Sequence, residues 1–224
     1  MLRTILRAFF RILFKVTTRL EVTGLERIPM QGGVILAVNH LGIIDAPVVF
    51  ILLERQDVTG LVADTYQKKP FFRFLVGAVD GIWINRGTAD MQALKQALQY
   101  LQAGGMLGIA PEGTRSRTGM LIQAKTGVAY LADKAGVPVV PIAIYGSEKY
   151  FRQLPRLKRT HIRISVGQAL NLPSVERKDR EAGLIRNTDE IMCRIAAMMP
   201  PEYWGVYAGY PRLAELVAEQ GPPK

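Results

Sequence analysis

The chain holds a single cysteine, Cys193, and two histidines, His40 and His161, among 224 residues. One thiol excludes an intrachain disulfide, and three soft donors leave no basis for a structural zinc site, so no metal is expected. Acids are scarce too: 19 Asp and Glu stand against 29 Lys and Arg, for a net charge of +10. That balance implies an anionic partner, whether nucleic acid, an anionic membrane, or an acidic protein or substrate. Long uncharged apolar runs are missing from the first 19 residues, where no such run exceeds three. A bilayer-spanning start is thereby excluded, since arginine at depth costs roughly 2.5–3.5 kcal/mol even on the lenient insertion scale.

What is present is apolar material enough for one domain, at 49% of residues. In residues 1–19, Arg3, Arg7, Arg11, Lys15 and Arg19 recur every four positions, a slowly drifting stripe on one helix face. Phe9, Phe10 and Phe14, with neighbouring leucines and isoleucines, fill the remainder. The expectation is a basic amphipathic helix lying in a membrane interface, arginines toward headgroups and aromatics toward acyl chains. The alternative is an amphipathic helix packed on its own domain. Arginines interrupt every candidate signal-peptide core.

From residue 20 to about 200, strand-like and helix-like patterns alternate. Apolar β-branched runs at Val34–Val38, Val58–Ala63, Asp80–Asn85, Met106–Ala110 and Pro138–Ile144 are separated by helical periodicities, clearest over Thr88–Ala103. The pattern predicts an α/β domain with a largely parallel central sheet flanked by helices. Ser174 is expected to cap a later charged helix. Residues 149–163 carry six cations and no acid, and residues 201–224 read as an aromatic, Pro-rich tail.

In open α/β sheets, ligands sit beyond the carboxyl ends of strands. Three polar clusters fall at such ends: Asn39-His40 with Asp45, Asn85-Arg86-Gly87, and Glu112-Gly113-Thr114-Arg115-Ser116. Residues five apart on a continuous helix point about 140° apart, so His40 and Asp45 meet only if the chain breaks between them, which Gly42 permits. A histidine oriented by an aspartate is a general base; the plainer alternative has Asp45 capping a helix. Two guanidiniums, Arg86 and Arg115, suit capture of phosphate or carboxylate.

These motifs, in order, resemble those of the glycerolipid acyltransferases, specifically the lysophosphatidic acid acyltransferases. His40 and Asp45 match the family's His-x4-Asp. Gly81–Arg86 is similar to its second motif, Pro111–Ser116 to its Pro-Glu-Gly-Thr-Arg motif, and Val137–Pro141 to its fourth. Ala110 and Asp64 stand where the family often has phenylalanine and lysine. The resemblance implies the glycerolipid acyltransferase fold and transfer of a fatty acyl group from acyl-CoA or acyl carrier protein to the 2-hydroxyl of lysophosphatidic acid. His40 would be the base and Asp45 its orienter. Arg86, Glu112, Gly113, Thr114 and Arg115 would hold the acceptor, and Asn39, Pro138 and Pro141 would line a donor site or pocket. No cofactor is implied beyond the acyl co-substrate. The expected partners are an anionic membrane surface, the lysophospholipid and the acyl carrier, with no nucleic acid, and the expected location is peripheral on the cytoplasmic face of a membrane. Acylation of another acceptor, or a non-catalytic lipid-binding role, would share most of these features.

Overall fold

The computed structural model describes residues 2–85, 87 and 90–220. Helix α1 (Leu2–Thr17) runs directly into strand β1 (Thr18–Thr23). There follow β2 (Val34–Val38), α2 (Asp45–Leu52), β3 (Val58–Ala63), α3 (Pro70–Ala78), β4 (Ile82–Ile84), α4 (Met91–Gln102), β5 (Met106–Ile109), α5 (Gly127–Ala135) and β6 (Val139–Tyr145). A four-residue α6 (Tyr150–Gln153), β7 (Thr160–Val166), α7 (Arg180–Ala197) and α8 (Pro211–Gln220) complete the order.

The strands form one seven-stranded sheet in the order β1-β7-β6-β2-β5-β3-β4. Every neighbouring pair is parallel except β6 with β7. Strands at the centre are buried on both faces and read as unbroken apolar runs, as parallel sheets require. Alternate side chains feed two cores. Ile35 and Ala37 point toward α4, α5, α7 and α8, while Val34 and Leu36 point toward α1 and α2. β7 alternates strictly between buried and half-buried positions, as its period-two pattern predicts.

Three expectations change here. Residues 201–220 are not a tail, because Tyr207, Leu213 and Leu216 are fully buried in the α7 core. Ser174 caps no helix: α7 opens after Asp179, which itself makes no side-chain cap bond.

Helix α1 also turns the opposite way from expectation. Arg7 is buried, donates to Arg55 O and lies over the Phe50 ring at 4.6 Å. Arg3 reaches Gln56 O, Ala78 O and the Asp80 carboxylate, and Arg11 donates to Ile51 O at 3.1 Å. Phe14 is buried and Phe10 half-buried beside it. The outer face instead presents Leu2, Ile5, Phe9, Ile12 and Val16, all exposed. Of the seven residues expected to anchor a membrane, Phe9 and Lys15 face outward, while Arg3, Arg7, Phe10, Arg11 and Phe14 engage the domain. The guanidiniums satisfy backbone carbonyls at and beyond the C-terminal end of α2, where helix ends leave acceptors unpaired.

Candidate active site

Strand β2 lies between β6 and β5, so its carboxyl end is flanked by the loops that follow both. Asn39 extends the β2–β6 pairing through its side chain. Its amide donates to Ile144 O at 2.9 Å and its oxygen accepts from Ile144 N at 2.8 Å. Buried and satisfied at both ends, Asn39 is a structural clamp rather than part of a pocket wall.

His40 follows at the rim. Its Nδ1 lies 2.9 Å from Asp45 Oδ2, the side chain of Asp45 being buried and that of His40 partly exposed. The same Oδ2 accepts the backbone N–H groups of Leu41 and Gly42 at 2.8 and 2.7 Å. Asp45 therefore turns back onto the preceding turn and does not cap its own helix, whose start carries no side-chain cap bond. Three donors on one carboxylate oxygen fix the aspartate, and the aspartate fixes the ring. With the Nδ1 proton committed to Asp45, Nε2 keeps its lone pair for a substrate proton. Gly42 serves by close approach rather than by an unusual backbone angle: a Cβ there would sit 2.8 Å from Ser147 Oγ and 2.9 Å from Ser147 O.

The segment after β5 wraps the backbone of His40. Glu112 Oε2 accepts His40 N at 2.7 Å, and Ser116 N donates to His40 O at 2.9 Å. The other Glu112 oxygen accepts Ile122 N at 3.0 Å. Glu112 is 2% exposed and each of its oxygens accepts a backbone amide, so it holds the backbone of His40 in place. Burial raises its carboxyl to about 7, opposed by the amides of Ile122 and His40. Gly113 is left-handed at φ +66° and lies under the Lys125 stem, where a Cβ would come within 3.2 Å. Thr114 is exposed and Arg115 half-buried, one residue before Ser116, whose amide bonds the His40 carbonyl.

Arg86, expected at the site, falls outside the described residues. Two other expected site residues lie elsewhere. Pro138 immediately precedes β6 at the opposite end of the sheet, six residues or about 20 Å before the level of Ile144. Pro141 is buried at mid-strand opposite Ala37. Both prolines shape the sheet and neither reaches the rim that carries His40.

Sequence reasoning missed the supports of the loop 111–125. Leu121 N donates to Tyr203 O at 2.8 Å, Val206 N to Leu121 O at 3.3 Å, and Ala124 N to the Tyr207 hydroxyl at 3.0 Å. The Tyr203 hydroxyl donates to Glu148 in the loop after β6 at 3.1 Å. The aromatic stretch thus ties together the two loops that bracket His40. Its only signal in sequence was clustered tyrosines beside a tryptophan, with nothing to say what they met.

Comparison with known proteins gives the family and the fold. The profile of the Acyltransferase family matches residues 19–145. A 1-acyl-sn-glycerol-3-phosphate acyltransferase of Borreliella burgdorferi is 30% identical over 135 residues, covering 59% of this chain and 54% of that one. The Pseudomonas aeruginosa protein of the same name is 32% identical over 128 residues, covering 56% and 49%. The chain thus spans about half the length of these curated relatives. In fold it is similar to the crystal structure of the 1-acyl-sn-glycerophosphate (LPA) acyltransferase PlsC from Thermotoga maritima. That match has a TM-score of 0.64 at 23% identity, over 84% of this chain and 79% of that one. With His-x4-Asp and Pro-Glu-Gly-Thr-Arg at neighbouring strand ends inside the matched region, the chain belongs to the acyltransferase family.

Proposed function

We propose that the chain is an O-acyltransferase that moves a fatty acyl group from a thioester carrier, acyl-CoA or acyl carrier protein, to the 2-hydroxyl of lysophosphatidic acid, giving phosphatidic acid. The observation that carries this reading is the 2.9 Å contact of His40 Nδ1 with the buried Asp45, which leaves Nε2 at an exposed strand end.

In the reaction, Nε2 takes the proton of the 2-hydroxyl as its oxygen attacks the thioester carbonyl carbon. Asp45 keeps the ring oriented and stabilises the imidazolium that forms. Collapse of the tetrahedral intermediate breaks the C–S bond, and the imidazolium returns the proton to the departing thiolate. Proton transfer of this kind supplies about 10²–10⁴-fold, so placement of the two substrates supplies much of the rest. Arg115 and Arg86 would hold the acceptor phosphate, as paired guanidiniums suit. Glu112 acts through the backbone of His40. The amides of His40, Leu41, Gly42 and Gly113 are each bonded within the protein, so none of them is free for the oxyanion.

A lysophospholipid acceptor resides in a bilayer. Among the described residues no helix is long and apolar enough to cross one. The outer stripe of α1, from Leu2 to Val16, offers a peripheral seat instead.

The deciding experiment gives purified protein lysophosphatidic acid with acyl-CoA or acyl carrier protein and measures phosphatidate. Absence of product with both donors, across several chain lengths, rejects this acceptor. Turnover of glycerol 3-phosphate or another lysolipid would keep the chemistry and change the substrate.

A further inference from the structure

The loop between β6 and β7 is bound to α1 yet projects its own apolar tip. Arg159 donates to Lys15 O and Thr18 O, closing the carbonyl end of α1. The Tyr150 hydroxyl bonds Thr17 Oγ1 at 3.1 Å, and its ring meets Phe14 edge-on at 6.2 Å. The loop is therefore fixed at the C-terminal end of α1, where Val16 of the stripe is exposed.

From this fixed base, Phe151 and Leu157 stand out into solvent. Leu157 is 94% exposed, and its backbone is left-handed at φ +51°, a conformation unfavourable to a branched side chain. Neither burial nor backbone preference accounts for a leucine there. Around the two lie exposed Arg152, Arg156 and Lys158, and no acid occurs from Lys149 to Thr160.

We infer that this loop is a docking prong for an anionic lipid surface. Phe151 and Leu157 enter the apolar layer while the cations meet headgroup phosphates, and the prong fixes the seat begun by α1. A single projecting side chain is buried completely by a fluid lipid layer, whereas a folded protein would need a matching pocket; this favours lipid over an acidic carrier protein. The inference rests on the reading of α1 as membrane-facing and is independent of the acyl-transfer chemistry.

The test uses the full chain with Leu157→Cys carrying an environment-sensitive fluorophore. The native thiol, Cys193, is fully buried and does not compete for label. Vesicles of phosphatidylcholine with phosphatidylserine should blue-shift and brighten the probe and shield it from an aqueous quencher, and phosphatidylcholine alone should do so far less. Combined Arg152→Ala and Arg156→Ala should weaken partitioning onto the anionic vesicles by about twenty-five-fold, two cations at roughly fivefold each.

A silent probe at position 157, while the same label on Phe9→Cys responds, overturns the prong and leaves the α1 seat standing. Silence at both positions overturns both. A response to acidic carrier protein without vesicles, and none to vesicles, would make the loop a protein-docking site and reject the lipid. Phosphatidate formation from a dispersed short-chain acceptor reports on the chemistry alone and does not enter this outcome.

Discussion

The backbone amide of His40 donates to Glu112 Oε2 at 2.7 Å, so the residue proposed as base is held by the end of the neighbouring strand. Its ring is held separately, by Asp45. Two buried carboxylates thus divide the work: one sets where the residue sits, the other which way its imidazole points.

Asp45→Asn should separate orientation from folding. The asparagine oxygen can still accept from Leu41 and Gly42, while the Nδ1–H of His40 loses its anionic acceptor. The expected result is a fall in kcat of about 10²–10⁴, with a smaller loss of thermal stability than Asp45→Ala, which frees both amides. Retention of most activity in the asparagine variant would remove Asp45 as orienter.

Glu112 predicts a pH dependence of stability. Its carboxyl is raised from 4.5 to about 7 by burial, so between these values the folded protein holds a proton that the unfolded chain has released. The contribution is full below about 4.5 and is lost as pH rises through about 7, about 3 kcal/mol at most. Glu112→Gln has no such proton. Urea denaturation at about pH 5 and about pH 8 should show the native chain losing more stability across that window than the variant. An equal change in both would place the titration elsewhere.

Tyr207 lies outside the region matched by the family profile, yet it is fully buried against the site loop. Tyr207→Phe keeps the ring and leaves the Ala124 N–H without its acceptor, at a cost of about 1–3 kcal/mol. Because Ala124 is two residues from Ile122, which holds Glu112, kcat should also fall, toward the hundredfold that about 1 Å of misplacement brings. An unchanged kcat beside a lowered urea midpoint would make Tyr207 part of the core and nothing more.

Much of this was legible in the sequence, and the misreadings share a cause. Unbroken apolar runs locate β2 and β5, and period-3.6 and period-two patterns locate α4 and β7, because burial imposes each pattern directly. The strand-end clusters around His40 and Glu112 were visible because parallel strands must bring their carboxyl ends to one edge. Hidden was which neighbour each polar group meets. Glu112 reads as a ligand-binding acid, and the sequence does not show that its oxygens hold the backbone of Ile122 and His40. Pro138 follows the motif order but lies at the wrong end of its strand. Helix α1 has an arginine stripe and an apolar stripe on opposite sides, and a linear pattern does not say which one faces the domain. Carbonyls near the end of α2 decide it, and they belong to residues forty or more positions away.

The two faces of α1 can be tested against each other. Arg7→Ala removes a buried guanidinium that bonds Arg55 O and lies over Phe50, and it should lower stability by about 2–4 kcal/mol. Phe9→Ser with Ile12→Ser alters exposed positions and should leave the urea midpoint nearly unchanged. On anionic vesicles the order reverses. The serine pair should lose most binding, since each large apolar side chain contributes about 1.5–3 kcal/mol on leaving water. The folded fraction of the Arg7 variant should bind nearly as the native chain does, because that arginine points into the protein. Vesicle co-sedimentation beside urea denaturation reads both effects on the same samples. Loss of vesicle binding in the folded Arg7 variant, with binding retained by the serine pair, would return the arginine face to the membrane.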